Sequence, residues 1–187
     1  MEKIKEFIEK ILAKEAECWT NLNLNDLNAF NQSVRELYEM TTERIGKSLG
    51  ISEMTDFGIF KRAEKEIAEN PLSYKSRHLY KLSSYKNEIY GDIWVAYVSV
   101  KNPSIEPKSD VFFQGFILAS INNELKIIGT MVTEKNRSTL KVDGWRASPY
   151  NSSDLDINKL GEFISTERYF EPNNRDDFSL EEYLKDK

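Results

Sequence analysis

Residues 88–135 read EIYGDIWVAYVSVKNPSIEPKSDVFFQGFILASINNELKIIGTMVTEK. Its aromatic and β-branched composition is typical of strands. Asn122 and Asn123 tolerate positive φ and therefore suit a two-residue hairpin turn. We predict three strands that pair antiparallel, at residues 89–100, 110–121 and 125–133.

The hairpin predicts a register, because a two-residue turn fixes which residues lie opposite one another. Gly129 in mid-strand removes a side chain, which is typical of a bulge or of a close approach by another group, and we expect the sheet to curve there. Glu124 and Lys126 place charge at one end of one face, so water must reach at least that end. The expected pairs are Ile121 with Glu124, Leu118 with Ile127, and Gln114 with Met131. The other, inner face then carries Phe112, Gln114, Phe116, Leu118, Leu125, Ile127, Gly129 and Met131.

Length and composition indicate one domain, since 187 residues with 40% hydrophobic content can bury one substantial core. We divide it into a helical layer (1–71), a curved antiparallel sheet (72–146) and an acidic C-terminal extension (147–187). The single cysteine, Cys18, excludes an internal disulfide framework and is expected to be a buried thiol. The chain shows neither an apolar run near 18 residues nor a signal-peptide core, which predicts a cytoplasmic protein.

The net charge of −5 is unevenly distributed. The sheet region holds 11 Lys/Arg against 7 Asp/Glu, whereas the helical layer holds 10 against 14 and the extension 5 against 10. We therefore expect no nucleic-acid partner, although the basic centre could attract an anion. A solvated face is the more ordinary explanation of such a charge run.

Three helices are predicted before the sheet. Residues 2–22 form an amphipathic stripe, and Asn25 or Asp26 caps a second helix that runs until Gly46 or Gly50. Residues 53–69 form the third, which stops before Pro71.

The segments that flank the three central strands are less regular. Residues 73–86 predict a weaker strand at an edge of the sheet, and residues 138–146 a further strand ending at Asp143-Gly144. Ser153 is expected to cap a short helix that carries Ile157, Leu160, Phe163 and Ile164, and residues 179–182 form a capping box.

Helices followed by consecutive antiparallel strands indicate an α+β fold, with N-terminal helices packed on a strongly curved antiparallel sheet that forms a half-cone and a short helical C-terminal extension. A likeness to a known family rests on three features: the strand that contains Trp94, the amphipathic helices and, above all, the run Gly115-Phe116-Ile117-Leu118-Ala119-Ser120-Ile121-Asn122-Asn123-Glu124-Leu125-Lys126-Ile127-Ile128. With these features the chain resembles the nuclear transport factor 2-like superfamily. That cystatin-like α+β family is also called ketosteroid-isomerase-like or SnoaL-like. The resemblance covers roughly residues 4–133, and the chain continues beyond the point where the family often stops.

The resemblance implies either an enzyme, a binding module or a toxin-immunity protein. The family's enzymes place an Asp, His or Tyr inside the cone. Here His78, the only histidine, is expected to have a structural or surface role, while Asp92 and Asp110 open strands. The chain has no Cys/His pair at ligand spacing, no glycine-rich phosphate loop and no nucleophile elbow, so we predict no cofactor and no metal.

Several aromatic strand residues are either ordinary core or the wall of a pocket in which Gln114 orients a ligand. Trp145-Arg146 either covers the open end of that pocket or docks on the sheet. In the pocket interpretation the lining residues are Tyr80, Trp94, Tyr97, Gln114, Phe116 and Met131.

Two functions remain. The favoured one is a non-catalytic immunity protein that inhibits a bacterial toxin by direct contact with a basic toxin domain, because the inner face lacks a convincing acid/base pair and the C-terminal segment is acidic. The alternative is a small-molecule enzyme or carrier that uses the conical pocket, as isomerases and dehydratases do. No membrane partner is expected, and a homodimer through the sheet is left open. The predicted partner-binding residues are Glu167, Glu171, Asp176, Asp177 and Glu181.

Overall fold

The computed structural model describes residues 1–24, 26–41, 77–100, 114–135, 142–147 and 154–170. These residues have an α+β fold with two helices before a six-stranded antiparallel sheet, whose strand order is β5-β4-β3-β2-β1-β6. The helices are α1 (Glu2–Asn23) and α2 (Leu27–Glu39). The strands are β1 (Arg77–Asn87), β2 (Gly91–Val100), β3 (Gln114–Ile121), β4 (Glu124–Lys135), β5 (Val142–Ala147) and β6 (Glu162–Arg168).

The β3–β4 hairpin confirms the predicted turn, since Asn122 and Asn123 have φ values of 53° and 67°. The pairs Ile121 with Glu124 and Leu118 with Ile127 are also confirmed. Ile117 then lies opposite Gly129, which leaves Ile128 as the extra residue of a bulge, one of the two alternatives that Gly129 indicated. Because the bulge shifts the register by one, the predicted pairing of Gln114 with Met131 is wrong: Gly115 lies opposite Met131.

One face of the sheet packs on α1, and we call this set the helix-side cluster. The periodic apolar stripe of α1 supplies its helical part, and alternate residues of β1 to β4 supply the rest. It comprises Ile4, Ile8, Ile11, Leu12, Met40, Leu79, Leu82, Ala96, Val98, Phe116, Leu118 and Ile127.

The opposite face is also buried, and we call its residues the second-face cluster. Leu155, Ile157 and Leu160 cover it from outside the sheet. Met131, predicted on the inner face with Phe116, belongs here because the Ile128 bulge reverses the alternation beyond it. Its other members are Tyr80, Tyr85, Ile93, Val95, Tyr97, Ile117, Ala119 and Ile128.

The second helix begins as predicted and ends earlier. The Asp26 carboxylate accepts a hydrogen bond from the Ala29 amide at 3.0 Å, which is an N-terminal cap. The helix ends at Glu39, because the Met40 carbonyl accepts the Ile127 amide at 2.8 Å and Thr41 bridges to Ile127. The predicted continuation of the helix to Gly46 or Gly50 is therefore wrong at residues 40 and 41, and residues 42–50 lie outside the described residues. The third predicted helix, 53–69, lies outside the described residues.

Two predictions for the sheet's far edge are wrong. The first strand is not an edge, because β6 pairs with it antiparallel. Phe163 and Ile164, predicted on a short helix, lie in β6, where the β-branched and aromatic run suits a strand that completes the sheet. The part of the predicted strand 138–146 that the structure describes is β5, which runs through Asp143-Gly144 rather than ending there. Residues 138–141 lie outside the described residues. The capping box at 179–182 lies outside the described residues.

Candidate functional site

The structure brings together three of the six residues predicted to line a pocket. Tyr80, Tyr97 and Met131 are fully buried in the second-face cluster. Phe116 belongs to the helix-side cluster and Trp94 packs against it, on the other face of the sheet. The backbone of Gln114 pairs with Val98 and Val132, while its side chain lies outside the described part.

A buried lysine stands beside these tyrosines, and the sequence interpretation missed it. Lys81 is 1% exposed, and its Nζ lies 4.2 Å from the Tyr97 ring centroid and 5.9 Å from that of Tyr80. A register shift between Leu79 and Lys81 brings Tyr80 and Lys81 onto neighbouring positions of one face. An ammonium over aromatic faces is attracted by the ring quadrupoles.

An acidic surface forms where the end of β6 meets α1. The Tyr169 amide donates to the Tyr80 carbonyl at 2.8 Å, and the Tyr169 hydroxyl donates to Glu167 Oε2 at 3.0 Å. Lys5 Nζ lies 5.4 Å from the centroid of the Tyr169 ring. Burial, the hydrogen bond to Glu167 and the negative charges of Glu167, Glu2 and Glu9 raise the pKa of Tyr169 to about 12. We define the acidic surface as Glu2, Glu9, Glu167 and Tyr169.

Helical spacing explains how α1 supplies its share of this surface. Glu2 and Glu9 are two turns apart, and Lys5 lies between them on the same flank. This flank borders the stripe that buries Ile4, Ile8 and Ile11. The side chains of Glu2, Glu9 and Glu167 are exposed, and Tyr169 is 37% exposed. The sequence analysis predicted Glu167 as a partner-binding residue and assigned no such role to Glu2 or Glu9.

Other predicted positions are distributed around the molecule. Of the partner-binding residues, Glu167 is exposed on β6, whereas Glu171, Asp176, Asp177 and Glu181 lie outside the described residues. Cys18 is buried as expected, and burial is the main cause that raises the pKa of its thiol to about 12. His78 is exposed on β1, and Asp92 is exposed and pairs with Lys86 at 2.8 Å. Asp110 and the side chains of Trp145 and Arg146 are not described.

In the described ranges, no three His, Cys, Asp or Glu side chains are grouped so that they could hold a metal ion. Neither of the two described helices is long and apolar enough to cross a membrane.

Comparisons with protein-family models, curated proteins and solved structures find no match to this chain.

Proposed function

We propose that this chain is a non-catalytic binding protein that inhibits a basic protein partner, a bacterial toxin domain, by direct contact. In this proposal the scaffold is the half-cone of the nuclear transport factor 2-like superfamily, which the hairpin sequence resembles. The observation that carries the proposal is the acidic surface formed by Glu2, Glu9, Glu167 and Tyr169.

Three carboxylates from distant parts of the chain meet around Tyr169, and this favours a role in recognition of a basic partner. Glu2 and Glu9 come from the start of the chain and Glu167 from its last described strand, so tertiary structure brings them near one another. The negative charges of all three act on Tyr169, and a basic partner would complement that charge. Complementary fields also accelerate encounter between proteins.

Tyr169 provides the surface with an anchor. A tyrosine offers a large apolar ring and a polar tip, and such residues are enriched among those that dominate binding energy. Its ring is held by the Lys5 ammonium and its hydroxyl by Glu167, so little side-chain freedom remains to be lost on binding.

A charge-matched pair of variants tests the proposal. The first carries Glu2→Gln, Glu9→Gln and Glu167→Gln; the control carries Glu88→Gln, Glu124→Gln and Glu162→Gln, which are also exposed. The control residues lie at the turn end of the sheet, and Tyr169 lies beside Tyr80 at the other end of β1. At about 3.3 Å per residue, Glu162 of the control and Glu167 of the test variant are separated by roughly 17 Å along β6. Both variants change the net charge equally.

The measurement is capture of a basic protein by the immobilised chain, followed by amide exchange of the complex. We expect protection in the first turns of α1 and at residues 167–169, and loss of capture in the first variant alone. Equal loss of capture in both variants would show that net charge alone, and not this surface, determines binding. Protection of amides elsewhere in the chain would contradict the proposed surface.

Lys81 favours a second candidate function, the binding of a small anionic molecule. A fully buried cation beside two buried tyrosines is the kind of group that orients a ligand in an apolar site. Native mass spectrometry of the isolated protein tests it. A copurified small acid that is absent from Lys81→Met but present in Lys81→Arg supports this candidate, and an unliganded mass for the unaltered protein contradicts it.

A further inference from the structure

The outer side of β6 is an open edge of the sheet. In the order β5-β4-β3-β2-β1-β6 this strand has β1 on one side, and no strand of the described residues lies on the other. All seven of its residues are exposed, including Phe163 at 49% and Ile164 at 55%. The backbone groups along such an edge are a template for pairing with another strand.

Contacts at both ends hold this edge in place. Leu160, two residues before β6, is 1% exposed. The ring centroids of Phe163 and Tyr85 lie 5.7 Å apart. At the other end, the Tyr169 amide donates to the Tyr80 carbonyl at 2.8 Å. A partner therefore meets an edge that is already extended and fixed, which lowers the entropic cost of pairing with it.

The hydrogen bond of Tyr169 also shows which backbone groups of β6 point outward. Arg168 lies opposite Lys81 in the register. The bond nevertheless runs between their neighbours, from the Tyr169 amide to the Tyr80 carbonyl. Bonding between neighbours defines a non-hydrogen-bonded pair, and the two kinds of pair alternate along an antiparallel ladder. Thr166, two residues before Arg168, therefore also belongs to a non-hydrogen-bonded pair, and its N–H and C=O point away from β1.

The two faces of the sheet differ in charge beside this edge. Glu167 lies opposite Leu82, a member of the helix-side cluster, so its side chain is on the side of α1. Its charge acts on Tyr169 together with the charges of Glu2 and Glu9. A strand added along β6 would therefore carry every second side chain on the face of these three carboxylates.

We propose that an extended, basic segment of the protein partner adds to the outer edge of β6 and pairs antiparallel with the N–H and C=O of Thr166. The identity of this occupant rests on the proposed function. Backbone hydrogen bonds to a sheet edge supply affinity, and alternate side chains supply specificity. Lysine or arginine at those alternate positions complements Glu2, Glu9 and Glu167. A second copy of this chain fits less well, because it brings another Glu167 to the same face.

Proline at position 166 removes the outward N–H and leaves the hydrogen bonds to β1 in place, since an edge strand tolerates proline where its N–H faces outward. Thr166→Val is the matched control. Both variants lose the hydroxyl that lies 2.5 Å from Ser83 Oγ, and only the proline variant loses the N–H. The probe is a capped peptide of alternating lysine and valine. We expect Thr166→Pro to bind it at least about tenfold more weakly than Thr166→Val, because a donor at the edge is lost.

Amide exchange of the unaltered protein decides the matter even if Thr166→Pro does not fold. In the protein alone, the Thr166 amide should exchange at least about tenfold faster than the Glu167 amide, which points toward Leu82. Saturation with the peptide should slow the exchange of the Thr166 amide. Unchanged exchange at Thr166 in the saturated protein would overturn the proposal.

Three further outcomes would overturn it. The first is absence of peptide binding to the unaltered protein, and the second is equal binding by folded Thr166→Pro and Thr166→Val. The third is a dimer of the unaltered protein that Thr166→Val retains and Thr166→Pro loses, because a second copy would then be the occupant.

Capture of the basic partner separates this inference from the proposed function. If Thr166→Pro and Thr166→Val capture the partner equally while Glu2→Gln/Glu9→Gln/Glu167→Gln abolishes capture, this inference fails and the proposed function stands. If the peptide binds at Thr166 as expected but the chain captures no basic protein, the edge pairs with a basic strand and the proposed inhibitor function fails.

Discussion

Truncation of one buried side chain on each face tests whether both sides of the sheet are covered. Ile117 and Leu118 are adjacent on β3, each 0% exposed, and belong to the second-face and helix-side clusters respectively. Each buried carbon removed costs about 0.8 kcal/mol, so alanine loses roughly 2.4 kcal/mol. The residual cavity brings the expected loss into the range of about 2–5 kcal/mol. We therefore expect Ile117→Ala and Leu118→Ala to destabilise the protein to a similar degree.

Urea unfolding measures both losses, with an unchanged m value as the check that only stability has changed. Ile89→Ala is the matched control, because Ile89 is 65% exposed and should lose under about 1 kcal/mol. Since Leu160 covers the Ile117 face, the double variant Ile117→Ala/Leu160→Ala should deviate from additivity by more than about 0.5 kcal/mol. If Ile117→Ala costs no more than Ile89→Ala, the second face is not covered.

Three further perturbations have defined outcomes. Tyr169→Phe should remove one phenol that ionises near pH 12, and an ultraviolet titration of the two proteins should show this difference. Because the pKa of Tyr169 is raised in the folded protein, its contribution to stability is complete below pH 10 and is lost as the pH rises through about 12. No missing late-titrating phenol in Tyr169→Phe would contradict this assignment. His78→Ala should leave function intact, because His78 is exposed, and a loss of about 10²-fold or more in any activity with retained folding would contradict a non-catalytic role. Neutralisation of the acidic residues in the C-terminal segment should leave the thermal midpoint of unfolding nearly unchanged and should slow association with the partner. If the neutralised variant and the unaltered protein associate with the partner at the same rate at low salt, the segment is not a recognition surface. This last variant changes Glu171, Asp176, Asp177 and Glu181 to Asn or Gln.

The central hairpin was predictable from sequence because its signals are local. Asn122-Asn123 determined the turn, and alternation assigned Phe116 and Leu118 to one face. The bulge at Ile128 was indicated by Gly129, but its effect on the register was not carried through to Met131. A one-residue shift reverses every later side chain, and Met131 accordingly packs on the opposite face.

Features that depend on distant residues were missed. Nothing near Phe163 and Ile164 in the sequence shows that β1 would accept them as a sixth strand. The cover formed by Leu155, Ile157 and Leu160 is likewise a tertiary contact, and the burial of Lys81 depends on the Tyr97 ring of another strand. Local propensity yields to such contacts, which determine the environment of each candidate site.

The association rate of the captured basic partner, measured across a series of salt concentrations, tests whether the acidic surface recognises that partner. Glu2→Gln/Glu9→Gln/Glu167→Gln should slow association at low salt, and its rate should converge with that of the unaltered protein near 1 M salt, where the Debye length is about 3 Å. The variant Glu88→Gln/Glu124→Gln/Glu162→Gln should retain most of the low-salt rate. If the two variants associate equally fast at every salt concentration, the acidic surface around Tyr169 does not recognise the partner.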